Sequence, residues 1–137
     1  MTAASSALLL ATRADAASEA GLRRRHARDY TNELKDAAGV RLIEPISEGE
    51  PGFLRFPLRI SGGSRGLLSG VSVQRWGIAP SYPTTLAALE QIQRILLPGT
   101  HQLSGAEMLA AELVTLPTHS FVTLRKRQRM TRFLKSI

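Results

Sequence analysis

The chain has 137 residues and carries 18 Lys+Arg against 11 Asp+Glu, a formal charge of +7. That length supports one modest domain, which buries roughly two thirds of the surface its unfolded form exposes. There is no cysteine, which excludes a disulfide framework, a thiolate nucleophile and a Cys-built zinc site, and makes the cytoplasm the expected compartment. Hydrophobic residues at 43 % and charged residues at 21 % fit a globular chain and not a disordered tail. The longest apolar run, Ala7 to Ala11, is far below the roughly 20 residues of a bilayer helix, so no membrane partner is expected. It also lacks the preceding Lys or Arg of a secretory signal. Aromatics at 5 % are sparse for a surface that stacks nucleobases.

In chain order, the first element is a helix. Leu22, Ala27, Tyr30, Leu34 and Ala38 recur at helical spacing, while Arg23, Arg24, Arg28 and Lys35 fall largely off that stripe. Ala and Leu dominate upstream, which places the start near Ser5, and Gly39 is expected to end the helix. Val40 to Ile43, ended by Pro45, and Phe53 to Ile60 then read as strands. Pro57 has no N–H to donate, so the second strand is expected at a sheet edge or with a bulge. A Gly62-Gly63-Ser64 turn feeds a helix through Leu67, Leu68, Val71 and Arg75 that Gly77 closes, followed by extended Ile78-Ala79.

Pro83 opens another expected helix, with Leu86, Leu89, Ile92, Ile95 and Leu96 on one stripe and Pro98-Gly99 at its end. Ser104 and Glu107 have capping-box spacing for a helix through Leu113. Val114 to Leu116 is a strand ended by Pro117. Thr123 caps a last helix with Leu124, Met130, Phe133, Leu134 and Ile137 facing inward. The fold class is therefore α/β (α+β): a small sheet covered by helices and preceded by a long N-terminal helix.

Few residues carry obvious chemistry. His26, His101 and His119 are scattered without ligand spacing, so no metal site is expected. No G-x-S-x-G elbow occurs. Ser61 to Gly66 lies between a strand and a helix but has neither a P-loop ending nor GxGxxG spacing, and reads as a tight turn. Two basic clusters stand out: Arg23, Arg24, Arg25 and Arg28, and then Arg125, Lys126, Arg127, Arg129, Arg132 and Lys135. The functional alternative they offer is a polyanion- or nucleic-acid-binding module built on the last helix. Without interleaved aromatics they read instead as solvated helix faces, and a nucleic-acid partner is not expected.

The segments Trp76-Gly77-Ile78-Ala79-Pro80-Ser81-Tyr82-Pro83-Thr84-Thr85-Leu86, Ser104 to Leu113 (Ser-Gly-Ala-Glu-Met-Leu-Ala-Ala-Glu-Leu) and Leu116-Pro117-Thr118-His119 occur in an order that resembles the C-terminal part of the DegT/DnrJ/StrS sugar aminotransferases. Ala7 to Ala11, Arg24, Arg25, Ala27, Tyr30 and Leu34 are similar to the helix that leads into that family's small domain. The resemblance implies the small-domain fold of fold-type I aminotransferases, in which the small sheet is mostly antiparallel, with residues 1–39 as the lead-in helix and 40–137 as the C-terminal domain. It also implies pyridoxal phosphate in the complete enzyme, a nucleotide-sugar substrate, and a large domain or homodimer partner that supplies the Schiff-base lysine.

Of this chain's own residues the resemblance marks Tyr82 and, more weakly, Ser81 as substrate-binding. Relatives often have His where Ser81 stands. It marks no catalytic, cofactor or metal residue here. Lys35, Lys126 and Lys135 all lie in charged helical stretches where an amine stays solvated and protonated. The chain is thus expected to be a small domain or truncated form, without transaminase activity alone. Tyr82 is read either as a substrate contact or as an aromatic packed on the core, and His119 as the polar end of a strand.

Overall fold

The computed structural model describes residues 2–46, 49, 51–96 and 103–137. Helix α1 (Ala3–Leu34) opens at Thr2, whose hydroxyl accepts the Ser5 N–H. It is one unbroken helix of 32 residues, yet its two halves differ. The first is solvent-exposed along its described side chains, whereas Ala27, Tyr30 and Leu34 are buried at one-turn spacing. The helix stops five residues before Gly39, contrary to expectation. Gly39 has a different task. A Cβ there would lie 2.8 Å from the Ile137 carbonyl oxygen, so the position admits the chain's C-terminal backbone rather than ending a helix.

Four strands form one sheet in the order β1-β2-β4-β3, with every pair antiparallel: β1 (Val40–Leu42), β2 (Arg55–Ile60), β3 (Ala79–Pro80) and β4 (Leu113–Pro117). Alternation along β2 sends Phe56, Leu58 and Ile60 to one face, where they join Val40, Val114 and Leu116. Tyr30 of α1 closes on Phe56 with ring centroids 5.4 Å apart. Fully burying each such side chain contributes about 1.5–3 kcal/mol.

Pro57 is the first correction within the sheet, because β2 is an interior strand and its register against β4 runs without a bulge from Arg55 to Arg59. The reason is parity. Ser61 donates its N–H to Gly39 on the β1 side, so residues 59 and 57 direct their backbone groups the same way. β1 ends at Leu42, opposite Leu58, so the donor that Pro57 lacks lies beyond the last β1–β2 pair and interrupts none.

Two expected helices are broken. The segment after the glycine turn divides into α2 (Arg65–Leu68) and α3 (Val71–Trp76), because Gly70 is extended and the Ser69 hydroxyl donates back to the Gly66 carbonyl. Gly77 does close α3, in the left-handed conformation at φ 83°. The stripe from Leu86 to Leu96 yields only a 3-10 turn (Leu86–Ala88) and the short α4 (Glu90–Gln93), parted by an extended Leu89. Neither piece holds a buried residue, and an amphipathic stripe with nothing to pack on gains too little to sustain a long helix. Pro98-Gly99 and His101 lie outside the described residues.

Helix α5 (Ser104–Glu112) begins one residue earlier than a capping box requires. Leu103 is the N-cap, Ser104 is already helical, and no side chain caps this end. Helix α6 (Leu124–Lys135) is capped as expected by the Thr123 hydroxyl, which accepts the Lys126 N–H. Met130 and Leu134 are buried and Phe133 packs at the core's edge. Leu124 and Ile137 do not face inward. Leu124 starts the helix before its first turn reaches the body, and Ile137 lies past its end.

Candidate functional site

The turn that carries Ser81 and Tyr82 is fixed from below by β4. Ala79 and Pro80 pair with Thr115 and Val114, and the Ser81 N–H donates to the Leu113 carbonyl at 3.2 Å. Arg55 fastens the same turn from the neighbouring strand: Nε donates to the Thr115 hydroxyl, and Nη2 donates to the carbonyls of Thr115 and Gly77. Tyr82 leaves this anchored base and is 59 % exposed, so it is not a core aromatic. It borders an open cavity of about 290 Å³ with Ser64, Arg65, Ser69 and Ala110 among its walls. Ser81 is half-buried beside it and is not part of that lining.

Two of the polar groups in the cavity are already engaged within the protein. Ser64 Oγ donates to the Ala111 carbonyl and Ser69 Oγ to the Gly66 carbonyl, which commits both hydroxyl protons. What remains for a ligand is the Tyr82 phenol and the Arg65 guanidinium, which makes no ion pair among the described residues. No His, Asp or Glu lines the cavity among the described residues, so the Tyr82 phenol is its titratable group besides Arg65. Arg65 was not singled out from the sequence, where it stands 17 positions before Tyr82. The glycine turn before it was the available signal, since Gly62 and Gly63 at φ 83° and 101° bring the start of α2 beside α5.

The histidines have other tasks. His26 is buried with Nδ1 2.9 Å from the Thr118 carbonyl, tying α1 to the end of β4. His119 follows that strand and packs against Phe121, with Nδ1 buried and unpartnered. Burial, then the Lys126 charge, holds its imidazole below the ordinary histidine range. No group of three or more His, Cys, Asp or Glu among the described residues could hold a metal ion. No described helix is long and apolar enough to cross a membrane.

The basic clusters are partly neutralised. Arg23 pairs with Glu19, and Arg127 lies 2.8 Å from Asp29 and 3.5 Å from Glu33, which joins α6 to α1. Thr131 adds a 2.6 Å hydrogen bond to Glu33. Arg125, Arg129, Arg132 and Lys135 have no ion-pair partner among the described residues.

No family model matches the sequence. No curated protein matches it either. Solved structures do match the fold. DesV of S. venezuelae, solved with a ketimine intermediate, superposes over 95 % of this chain and 34 % of its own, at TM-score 0.79 and 20 % identity. The sugar aminotransferase CalS13 from Micromonospora echinospora matches 87 % of this chain and 31 % of its own, at TM-score 0.70 and 22 % identity. A DegT DnrJ EryC1 StrS aminotransferase from Brucella abortus gives 87 % and 31 %, at TM-score 0.69 and 20 % identity. This fold is one found within sugar aminotransferases. The chain thus spans about a third of the length of the structures it matches.

That fold raises the question of pyridoxal phosphate, and the residues present do not fit it. A Schiff-base lysine needs a dry pocket, where burial or cationic neighbours lower its pKa. Lys35 follows the last turn of α1 and is exposed, Lys135 is exposed at the end of α6, and Lys126 is half-buried in the first turn of α6. None of the three lines the Tyr82 cavity.

Proposed function

We propose that this chain is the small-domain part of a pyridoxal-phosphate-dependent nucleotide-sugar aminotransferase, with residues 1–39 as a lead-in helix and 40–137 as the domain proper. The carrying observation is the match to DesV, which takes in 95 % of this chain but only 34 % of the enzyme. That none of the three lysines lines the Tyr82 cavity supports the same division of labour: the coenzyme and its lysine belong to a large domain. Within this reading Tyr82 and Ser81 contribute a wall of the substrate site, and Arg65 supplies a cation beside them. The chain alone does not transaminate.

The test is covalent trapping. The purified chain is mixed with equimolar pyridoxal phosphate, reduced with borohydride and weighed as intact protein. The expected result is no retained coenzyme mass. A stoichiometric adduct that disappears in Lys35→Arg, Lys126→Arg or Lys135→Arg overturns the proposal.

A further inference from the structure

Helices α3 and α6 meet through Trp76 and Phe133, whose ring centroids are 5.6 Å apart in an edge-to-face arrangement at 69°. Neither ring is fully buried. They form the apolar floor of an open groove of about 450 Å³ whose remaining walls are Arg129, Arg132 and Ser136. That volume lies within the roughly 300–1,000 Å³ of small-molecule sites. The groove shares no residue with the Tyr82 cavity.

The charges around it are unevenly treated. On the side of α6 toward α1, Arg127 is neutralised by Asp29 and Glu33. On the side toward α3, Arg129 and Arg132 have no carboxylate or hydrogen-bond partner among the described residues. They stand three positions apart, so their Cβ atoms are about 5–6 Å from one another and both guanidinia can reach one phosphate. Neither α3 nor α6 contains an acidic residue.

We propose that this groove binds a mononucleotide, with the base against the Trp76–Phe133 floor and the phosphate between Arg129 and Arg132. An apolar ring surface next to two uncompensated guanidinia complements a ligand with a planar face at one end and a dianion at the other. A single ring platform with one pair of cations suits one nucleotide, whereas a strand needs stacking surfaces in series.

Trp76 is the chain's only tryptophan, so intrinsic fluorescence reads this groove alone. The full chain is titrated with adenosine 5′-monophosphate at low salt. The expected result is a saturable change in emission, with adenosine and inorganic phosphate each at least about tenfold weaker. The double variant Arg129→Gln/Arg132→Gln weakens binding by about tenfold or more, while Arg125→Gln, exposed on the same helix outside the groove, leaves it unchanged. All three arginines are exposed, so far-UV circular dichroism stays the same in every variant. No saturation up to roughly 10 mM, or undiminished binding by the double variant, overturns the proposal. So does inorganic phosphate binding as tightly as the nucleotide, or a single-stranded oligonucleotide that the mononucleotide fails to displace.

Discussion

Tyr30 joins α1 to β2 and to the end of β4: its ring packs on Phe56, and its hydroxyl donates to the Pro117 carbonyl at 2.9 Å. Burial pushes the phenol's pKa well above the ordinary tyrosine value. The unfolded chain therefore releases this proton first, so the contribution to stability is complete below about pH 10 and declines as pH rises further. Tyr30→Phe should cost about 1–3 kcal/mol at neutral pH, because the Pro117 carbonyl loses its side-chain donor, and should flatten the alkaline limb of the melting-temperature profile. Tyr82 is the opposite case. Its exposure means that Tyr82→Ala should change stability by no more than about 0.5 kcal/mol in a urea titration, which separates a ligand-facing residue from a packed one. From the sequence Tyr82 stood at a helix entry, where nothing in the pattern told burial from exposure. Tyr30 was legible through its spacing with Ala27 and Leu34. The environment of Tyr82 depended on strand pairing that local spacing does not encode.

Among the elements, β2 and α6 teach most. Pro57 was read by the rule that keeps proline out of interior strands, and the rule failed because the neighbouring strand is only three residues long. Pro57→Val should accordingly cost no more than about 1 kcal/mol, checked by thermal unfolding, since the β1–β2 pairing ends at Leu58 and the substitution interrupts none of it. Helix α6 was legible down to its Thr123 cap, but its arginines looked alike in the sequence. Only the packing against α1 distinguishes Arg127, at 13 % side-chain exposure between two carboxylates, from its neighbours. Arg127→Ala should destabilise by about 1–2 kcal/mol, reduced from a buried-pair value because Asp29 and Glu33 are about a third exposed, while Arg125→Ala stays within about 0.5 kcal/mol. The helix expected from Pro83 to Leu96 had the right periodicity and no surface to lie on. Periodicity states which face could be buried, and only the rest of the chain decides whether anything buries it.

For the whole molecule, the order of strands and helices was readable from alternation and from glycine and proline punctuation, and the family resemblance supplied the antiparallel arrangement of the sheet. The joining of distant segments was not readable, since Arg65 comes to Tyr82, and Trp76 to Phe133, only once the sheet is assembled. Helix α1 divides the molecule's stability in two. Amides of residues 3–18 should exchange with deuterium within seconds to minutes, and those of residues 27–34 at rates close to global unfolding, because only the latter carry buried side chains. The sheet's two margins have a consequence of their own. One outer strand has three residues and the other two, and Pro80 in the latter lacks a donor. Neither rim offers a ladder long enough to template another chain, so concentrated solutions should resist growth into β-rich fibrils.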